Sequence, residues 1–277
     1  MNAVGRRPPL NKDTRLCISL ASRPSNIGTR FHNHLYDELG LDFIYKAFTT
    51  TDIVAAIGGV RALGIRGCSV SMPFKEDVIP LVDEIEPSAQ AIHSVNTIVN
   101  DDGRLTASNT DYIAVQRLIG EHGLDPDDAV LIRGSGGMAS AVAAAFQGNG
   151  FHTGFVVARN AETGRALADR LGYDYAPEVG TLRAPVIVNV TPIGMAGGQE
   201  ENEQAFDDEA IAKAYTVFDV VAMPSETPLI KAARAAGVKV ITGAEVIALQ
   251  AAEQFERYTG VRPTAEQVAA ASAVSRA

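Results

Sequence analysis

Tryptophan is absent from the 277-residue sequence, cysteine occurs only twice, and no apolar run is long enough to cross a membrane. Cys17 and Cys68 lie in apolar stretches without the spacing of metal ligands, so we expect two buried, reduced thiols and no metal site. Acidic residues outnumber basic ones and give a net charge of -9, which argues against nucleic acid as a partner. The first residues carry arginine and proline but no apolar secretion segment, so we expect a cytoplasmic protein that binds no membrane.

Short apolar segments of strand length alternate with longer segments of helical character along nearly the whole chain. This alternation predicts an α/β fold with mostly parallel sheets, in which helices connect the strands. We expect residues 12–123 to form a first α/β domain and residues 124–243 a Rossmann dinucleotide-binding domain, with helices in 244–277 packing back on the first domain. The sequence leaves the oligomeric state open between a monomer and a homodimer.

Glycines, prolines and Asp-Gly turns set the bounds of the predicted elements. In the first half the predicted strands are 15–20, 41–48, 67–71, 95–100 and 104–108, and the predicted helices are 32–39, 52–63, 74–81 and 112–122. In the second half the predicted strands are 129–133, 153–158, 186–189, 217–221 and 238–241, and the predicted helices are 138–148, 161–171 and 244–258.

A glycine-rich turn follows an apolar strand and opens an alanine-rich helix, which is the setting of a dinucleotide-binding loop. Gly134 permits the tight turn, Gly136 lets a pyrophosphate approach the backbone, and Ala139 lets the helix pack on the strand. The expected cofactor-binding residues of this loop are Gly134, Ser135, Gly136, Gly137 and Met138. The alternative is a glycine-rich turn that binds nothing.

The end of the next strand indicates which dinucleotide binds. An NAD enzyme usually carries an acidic residue there to bind the ribose 2′-hydroxyl, but this chain has Arg159. An arginine can pair with a 2′-phosphate, so NADP is preferred and NAD remains possible. A solvated arginine at a strand end is the alternative.

Two segments in the first half place a lysine and an aspartate beside small polar residues. They are Ser71 to Lys75 and Asn109 to Asp111. A lysine can carry a proton to or from a hydroxyl, an aspartate can orient it, and a nicotinamide can exchange the hydride. The residues therefore predict a dehydrogenase of a small hydroxylated molecule with Lys75 and Asp111 as its catalytic pair. A structural ion pair is the alternative.

Seven segments, in order, resemble motifs of the shikimate dehydrogenase family. They are Ser69 to Lys75, Val95 to Thr97, Asn109 to Asp111, the glycine loop, Ala158 to Asn160, Thr191 to Met195, and Gly243 with Gln250-Ala251. The resemblance implies an NADP-dependent oxidoreductase of aromatic amino acid biosynthesis, in the chorismate pathway. It would interconvert 3-dehydroshikimate and shikimate by hydride transfer, with Lys75 as the general acid and base beside Asp111.

The same resemblance implies the binding residues. Asn96, Asn109 and Gln250 offer amides to vicinal hydroxyl groups, and Ser71 offers a hydroxyl. Loop capping for the asparagines and Ser71, and a surface position for Gln250, are the alternatives. The further cofactor-binding residues are Ala158, Arg159, Asn160, Thr191, Met195, Val220 and Gly243.

Several positions depart from the family pattern and resemble its shikimate dehydrogenase-like branch. Asn26 and Gly28 replace the two serines of the carboxylate site, and we expect them to line it instead. Ala222 and Met223 replace a tyrosine and an asparagine-like residue. These changes predict slow turnover of shikimate. Quinate or aminoshikimate dehydrogenase, methylenetetrahydrofolate dehydrogenase, and a catalytically decayed NADP-binding sensor are the alternatives.

His32 and His34 are two residues apart, which places them on different faces of a helix. We therefore predict that they pack or cap rather than bind a metal.

Overall fold

The computed structural model describes residues 6–276, which form two compact units. One unit runs to Thr110 and resumes at Ala248, and the other is Asp111–Ile247. Among the described residues, every helix is too short or too polar to span a membrane. The mixture of helices with two mostly parallel sheets confirms the predicted fold class.

The first unit is built on a six-stranded sheet. Its strands are β1 (Arg15–Ala21), β2 (Phe43–Thr49), β3 (Gly67–Val70), β4 (Glu84–Ile85), β5 (Thr97–Asp101) and β6 (Arg104–Ser108). Their order is β2-β1-β3-β5-β6-β4, with β2, β1 and β3 parallel and the predicted hairpin of β5 and β6 antiparallel. Because β3 lies inside this sheet, the turn that follows it starts from a fixed place.

Three helices of the first unit connect these strands, and a fourth lies near the end of the chain. They are α1 (Ile27–Glu38), α2 (Ile53–Ala62), α3 (Pro87–Gln90) and α10 (Ala265–Arg276). Residue 277, the predicted end of the last segment, lies outside the described residues. Helix α1 begins five residues before its predicted start, because its buried positions begin only at Phe31 and the exposed first turn carries no apolar periodicity.

The predicted helix over residues 74–81 is wrong. A turn follows the Met72-Pro73 bond, and only Ile79–Leu81 forms a short 3-10 helix. Pro80 has no N–H to continue a ladder of α-helical hydrogen bonds, so Leu81 N instead bonds Val78 O three residues back, at 3.0 Å.

Two apolar clusters form the core of the first unit. One surrounds Val70 and Ile98, and the other joins Cys17 and Tyr36 to residues of the C-terminal segment such as Phe255. Cys17 and Cys68 are free and buried, as predicted, and burial raises the pKa of the Cys17 thiol to about 12. Neither thiol is therefore in a reactive environment.

The second unit carries a fully parallel six-stranded sheet, as a Rossmann domain does. Its strands are β7 (Val130–Arg133), β8 (Gly154–Val157), β9 (Asp174–Ala176), β10 (Val186–Asn189), β11 (Thr216–Asp219) and β12 (Lys239–Thr242), in the order β12-β11-β10-β7-β8-β9. Its helices are α5 (Gly137–Gly148), α6 (Ala161–Leu171), α7 (Asp208–Lys213) and α8 (Pro228–Ala235). The boundaries between the units fall within α4 (Thr110–Glu121) and α9 (Gly243–Thr259). Strands β4 and β9 and helices α3, α7 and α8 were not predicted; most span only one turn or a few residues.

Candidate active site

Lys75 lies in the turn that follows β3, and main-chain hydrogen bonds hold both ends of that turn. Ser71 N donates to Leu20 O at 2.9 Å, and Val95 N donates to Lys75 O at 2.8 Å. Ser71 is exposed and Lys75 is half-buried. The backbone of Lys75 is therefore fixed against the residue that precedes Asn96.

Asn96 follows Val95 in the chain, and its side chain contacts the start of helix α4. Its Oδ1 accepts hydrogen bonds from Thr97 Oγ1 at 2.8 Å, Thr110 N at 2.8 Å and Thr110 Oγ1 at 3.1 Å. Its Nδ2 is buried and has no partner among the described residues. A buried donor without a partner costs about 1–3 kcal/mol, so this amide suits a bound hydroxyl group.

Asp111 directly follows Thr110 in the first turn of α4. The N-terminal end of a helix dipole favours a carboxylate at this place. Asn109, on the other side of Thr110, is buried; its N donates to Ser88 Oγ at 3.1 Å and its Nδ2 to Ser94 O at 2.9 Å. Part of the Asn109 amide therefore holds the loop before the helix.

Gln254 contacts the same network and was missed from the sequence. It is buried, and its Nε2 donates to Thr97 Oγ1 at 3.0 Å, Asn96 O at 3.3 Å and Ser69 Oγ at 3.4 Å. Gln250, the predicted residue, lies one turn earlier on α9 and is half-buried. The spacing of four residues places the two glutamines on one helix face, which is the pattern that points to Gln254.

Asn26 and Gly28, expected at the carboxylate end of a substrate, lie at the start of α1. Asn26 is exposed, and its side chain does not cap the helix. A Cβ placed on Gly28 would lie 3.4 Å from the hydroxyl of Tyr45. The structure does not join either residue to the hydrogen-bonded network of Asn96.

His32 packs in the core, as predicted. Its ring stacks on Tyr45 at a centroid distance of 4.4 Å and on Phe255 at 6.0 Å. Burial lowers the pKa of His32 to about 3, so the imidazole is neutral at physiological pH. Within residues 6–276, no group of three or more histidine, cysteine, aspartate and glutamate side chains could hold a metal ion.

The glycine loop of the second unit connects β7 to α5. Gly134 has a φ of +132°, and a Cβ there would lie 2.9 Å from Val190 O, so only glycine fits. A Cβ on Gly136 or Gly137 would meet nothing within 4 Å, which leaves that side of the loop open. Ala139 is fully buried against the sheet. The first N–H groups of α5 have no partner within the helix and are available to an anion.

The residues after β8 differ in what they contact. Ala158 is buried, and Asn160 caps α6 by accepting hydrogen bonds from Glu162 N at 3.0 Å and Thr163 N at 3.2 Å. Arg159 is exposed, and its Nη1 lies 3.3 Å from Glu200 Oε1. The side chain of Asn160 is therefore used for capping, while the guanidinium of Arg159 faces solvent.

Two side chains near Arg159 bear on the cofactor predictions. Thr163, in the first turn of α6, shares a 2.7 Å hydrogen bond with Ser135 of the glycine loop. The guanidinium of Arg165 lies 4.6 Å from the ring centroid of Tyr175. Arg165 is thus engaged in a cation–π contact.

Two buried polar residues end the middle strands and were missed from the sequence. Asn189 Nδ2 donates to Asp219 Oδ1 at 3.0 Å, and Asn189 Oδ1 accepts from Thr191 Oγ1 at 2.6 Å. Asp219 Oδ2 accepts from Thr227 Oγ1 at 2.7 Å, and burial raises the pKa of Asp219. A polar residue at the end of an apolar strand is the pattern that could have indicated both.

The remaining predicted cofactor residues follow the ends of strands β10, β11 and β12, with Gly243 as the first residue of α9. Met195 is exposed, and its neighbour Ala196 donates from N to Met223 O at 2.9 Å. A Cβ on Gly243 would lie 2.3 Å from Val220 O, so the close approach of α9 to the loop after β11 requires glycine.

Comparison with known proteins places the chain in a family. A model of the shikimate dehydrogenase substrate binding domain matches residues 26–98. A shikimate dehydrogenase-like protein of Haemophilus influenzae is 59% identical over 267 residues, which cover 96% of this chain and 98% of that protein. The chain belongs to the shikimate dehydrogenase family.

Solved structures of the shikimate dehydrogenase family share this fold. A shikimate 5-dehydrogenase-like protein matches with a TM-score of 0.96 and 58% identity, over 97% of this chain and 100% of its own. The shikimate 5-dehydrogenase of Thermus thermophilus, solved in complex with NADP(H) and shikimate, matches with a TM-score of 0.81 and 27% identity, over 94% of this chain and 99% of its own. The resemblance read from the sequence is confirmed.

Proposed function

We propose that the protein is an NADP-dependent oxidoreductase that interconverts shikimate, or a closely related cyclic hydroxy carboxylate, with the corresponding ketone. The observation that carries the proposal is the network around Asn96. Val95, next to Asn96, holds the carbonyl of Lys75, the Oδ1 of Asn96 holds the helix start before Asp111, and the buried Nδ2 of Asn96 is left without a partner among the described residues. Membership of the shikimate dehydrogenase family supports the assignment.

Lys75 is proposed to carry the proton. In the oxidation, neutral Lys75 accepts the proton of the reacting hydroxyl, and in the reduction, charged Lys75 returns it to the carbonyl oxygen. Asp111 is proposed to favour the charged form of the lysine and to orient it. A proton carrier of this kind typically contributes about 10²–10⁴-fold to the rate.

The glycine loop and Arg159 fit the proposed cofactor. Bound NADP would accept the hydride that leaves the alcohol carbon. The loop from Gly134 to Met138 offers helix-start N–H groups and an open glycine side to the pyrophosphate. The exposed guanidinium of Arg159 can pair with the 2′-phosphate. Thr191, Met195, Val220 and Gly243 lie at strand ends, where the nicotinamide is proposed to bind.

The substrate is proposed to contact amides and hydroxyls of the first unit. Asn96, Asn109, Gln250 and Ser71 are assigned to its hydroxyl groups, and Asn26 and Gly28 to its carboxylate. We further propose residues 12–123, together with the helices after residue 243, as the substrate-binding domain, and residues 124–243 as the cofactor-binding domain. Asn26 and Gly28 replace both serines at the carboxylate end. We therefore expect the kcat for shikimate to lie below about 10 s⁻¹, the median value for enzymes.

A substrate panel tests the proposal. The purified protein is incubated with shikimate or quinate and with NADP or NAD, and the absorbance of the reduced nicotinamide is followed. We expect slow reduction of NADP with shikimate, and a smaller rate with NAD. A faster reaction with quinate would support the same hydride-transfer chemistry, with quinate instead of shikimate as the substrate. No reduction with any cyclic hydroxy carboxylate would contradict the proposal and favour a sensor that binds NADP.

A further inference from the structure

Glu200 is a carboxylate beside the arginine proposed to bind the cofactor's 2′-phosphate. Its main-chain oxygen accepts hydrogen bonds from Gly194 N at 2.9 Å and Glu203 N at 3.1 Å, which anchors it in the loop after β10. Its side chain is 26% exposed, whereas that of Arg159 is 77% exposed. The backbone of Glu200 is therefore fixed in its loop. The exposed guanidinium of Arg159 reaches the Glu200 carboxylate from the end of β8.

A second arginine also interacts with Glu200. Arg133 ends β7, directly before Gly134, and its Nη1 donates to Ala205 O. Burial lowers the pKa of Arg133, and the negative charge of Glu200 acts in the opposite direction. The carboxylate of Glu200 is thus placed in the field of two guanidinium groups, one half-buried and one exposed.

We infer that Glu200 sets the discrimination between NADP and NAD by competing with the 2′-phosphate for Arg159. The inference rests on the proposed cofactor function and deepens it. A 2′-phosphate must displace the carboxylate from Arg159 or share the guanidinium with it, and the two anions repel each other. NAD carries a 2′-hydroxyl instead, which can donate a hydrogen bond to Glu200 in the manner of the acidic residue that NAD enzymes place near the ribose.

Because Arg159 is exposed to solvent, its ion pair with Glu200 makes a modest contribution. Exposed ion pairs alter an equilibrium by at most about fivefold. Removing the carboxylate should therefore strengthen binding of a 2′-phosphorylated nucleotide about two- to fivefold and should not strengthen binding of a nucleotide with a free 2′-hydroxyl.

The test uses nucleotide fragments and needs no turnover. Adenosine 2′,5′-bisphosphate and 5′-AMP are titrated by calorimetry into the full-length protein and its Glu200→Gln variant. The control is Asp169→Asn, which removes one exposed negative charge about 13 Å along α6 from the capping residue. We expect the ratio of the two dissociation constants, 5′-AMP over bisphosphate, to rise two- to fivefold in Glu200→Gln and to stay constant in Asp169→Asn.

A double variant shows whether Arg159 mediates the effect. In the background of Arg159→Gln, Glu200→Gln should raise the ratio less than it does alone, because only the direct repulsion between the carboxylate and the 2′-phosphate remains. An unchanged or lower ratio in the single variant, or an equal rise in both backgrounds, would overturn the inference while leaving NADP as the cofactor. Absence of binding of both nucleotides to the unmodified protein would overturn the proposed cofactor itself, and the inference with it.

Discussion

His32 shows how a single buried side chain makes stability depend on pH. The imidazole is buried and stacks on the rings of Tyr45 and Phe255. With a pKa lowered from 6.5 to about 3, it stays neutral in the folded protein while the unfolded chain takes up a proton. Its contribution to the free energy of unfolding is therefore present above pH 6.5 and declines as the pH falls towards 3.

We predict that His32→Phe, which keeps an aromatic ring in the stack, reduces acid sensitivity. Between about pH 6.5 and pH 3 the variant should lose less stability than the unmodified protein, by up to about 1.4 kcal/mol per pH unit. Urea unfolding at several pH values measures this difference. His34→Gln is the matched control, because His34 is only partly buried and lies 3.6 Å from Glu38. Parallel stability curves for His32→Phe and the unmodified protein would contradict the prediction.

Other single residues illustrate the limits of sequence reasoning. The glycine loop and Arg159 could be predicted because local order fixes them: a strand, glycines and a helix follow one another directly. The contact of Glu200 with Arg159 could not, because 41 residues separate the two in the chain. Asn189 and Asp219 are buried polar residues whose partners lie on different strands, and only the folded sheet brings them together.

Helix α9 presents two glutamines with different surroundings. Gln254 is buried and donates to Thr97, Asn96 and Ser69, whereas no hydrogen bond joins the half-buried amide of Gln250 to another described residue. The first fastens the helix to the sheet of its own unit, and the second is proposed to bind substrate. We therefore expect Gln254 to affect the stability of the fold and Gln250 to affect the affinity for substrate.

We predict that Gln254→Ala lowers the free energy of unfolding by about 1–3 kcal/mol, because it leaves buried acceptors without a donor. Gln250→Ala should change it by less than about 0.5 kcal/mol, as for most exposed or half-exposed positions. Urea unfolding measures both, and the KM for shikimate should rise in Gln250→Ala without loss of stability. Equal destabilisation by the two variants would show that both glutamines serve the fold.

Whole helices and strands could be predicted where the apolar periodicity and the positions of glycine and proline indicate the same bounds. Apart from β4 and β9, the strands of both sheets lie within two residues of their predicted bounds, and so do helices α5 and α6. The predicted helix over residues 74–81 is a turn that ends in a short 3-10 helix, where Pro80 has no N–H to continue a helical ladder. Strand β9, which was not predicted, has only three residues and is stabilised by pairing with β8. No local sequence pattern indicates this pairing.

The chain combines a family-typical fold with departures from the family pattern at residues proposed to bind substrate. Its match to the solved shikimate 5-dehydrogenase-like protein covers 97% of its length, so the architecture is shared throughout. The replaced positions Asn26 and Gly28 belong to the proposed substrate site, whereas Lys75 and Asp111 match the family motifs. We therefore propose that Lys75 catalyses the family's type of reaction and that the preference for substrate is altered.

The proposed role of Lys75 is tested most directly in the Lys75→Ala variant. The measurement is the rate of NADP reduction with shikimate, or with the best substrate of the panel. We predict that kcat falls by about 10²–10⁴-fold while the dissociation constant for NADP is unchanged, because the variant loses only the proton carrier. Calorimetric titration of NADP serves as the control for an intact cofactor site. A Lys75→Ala variant that turns over substrate at the rate of the unmodified protein would contradict the assignment of Lys75 and the mechanism built on it.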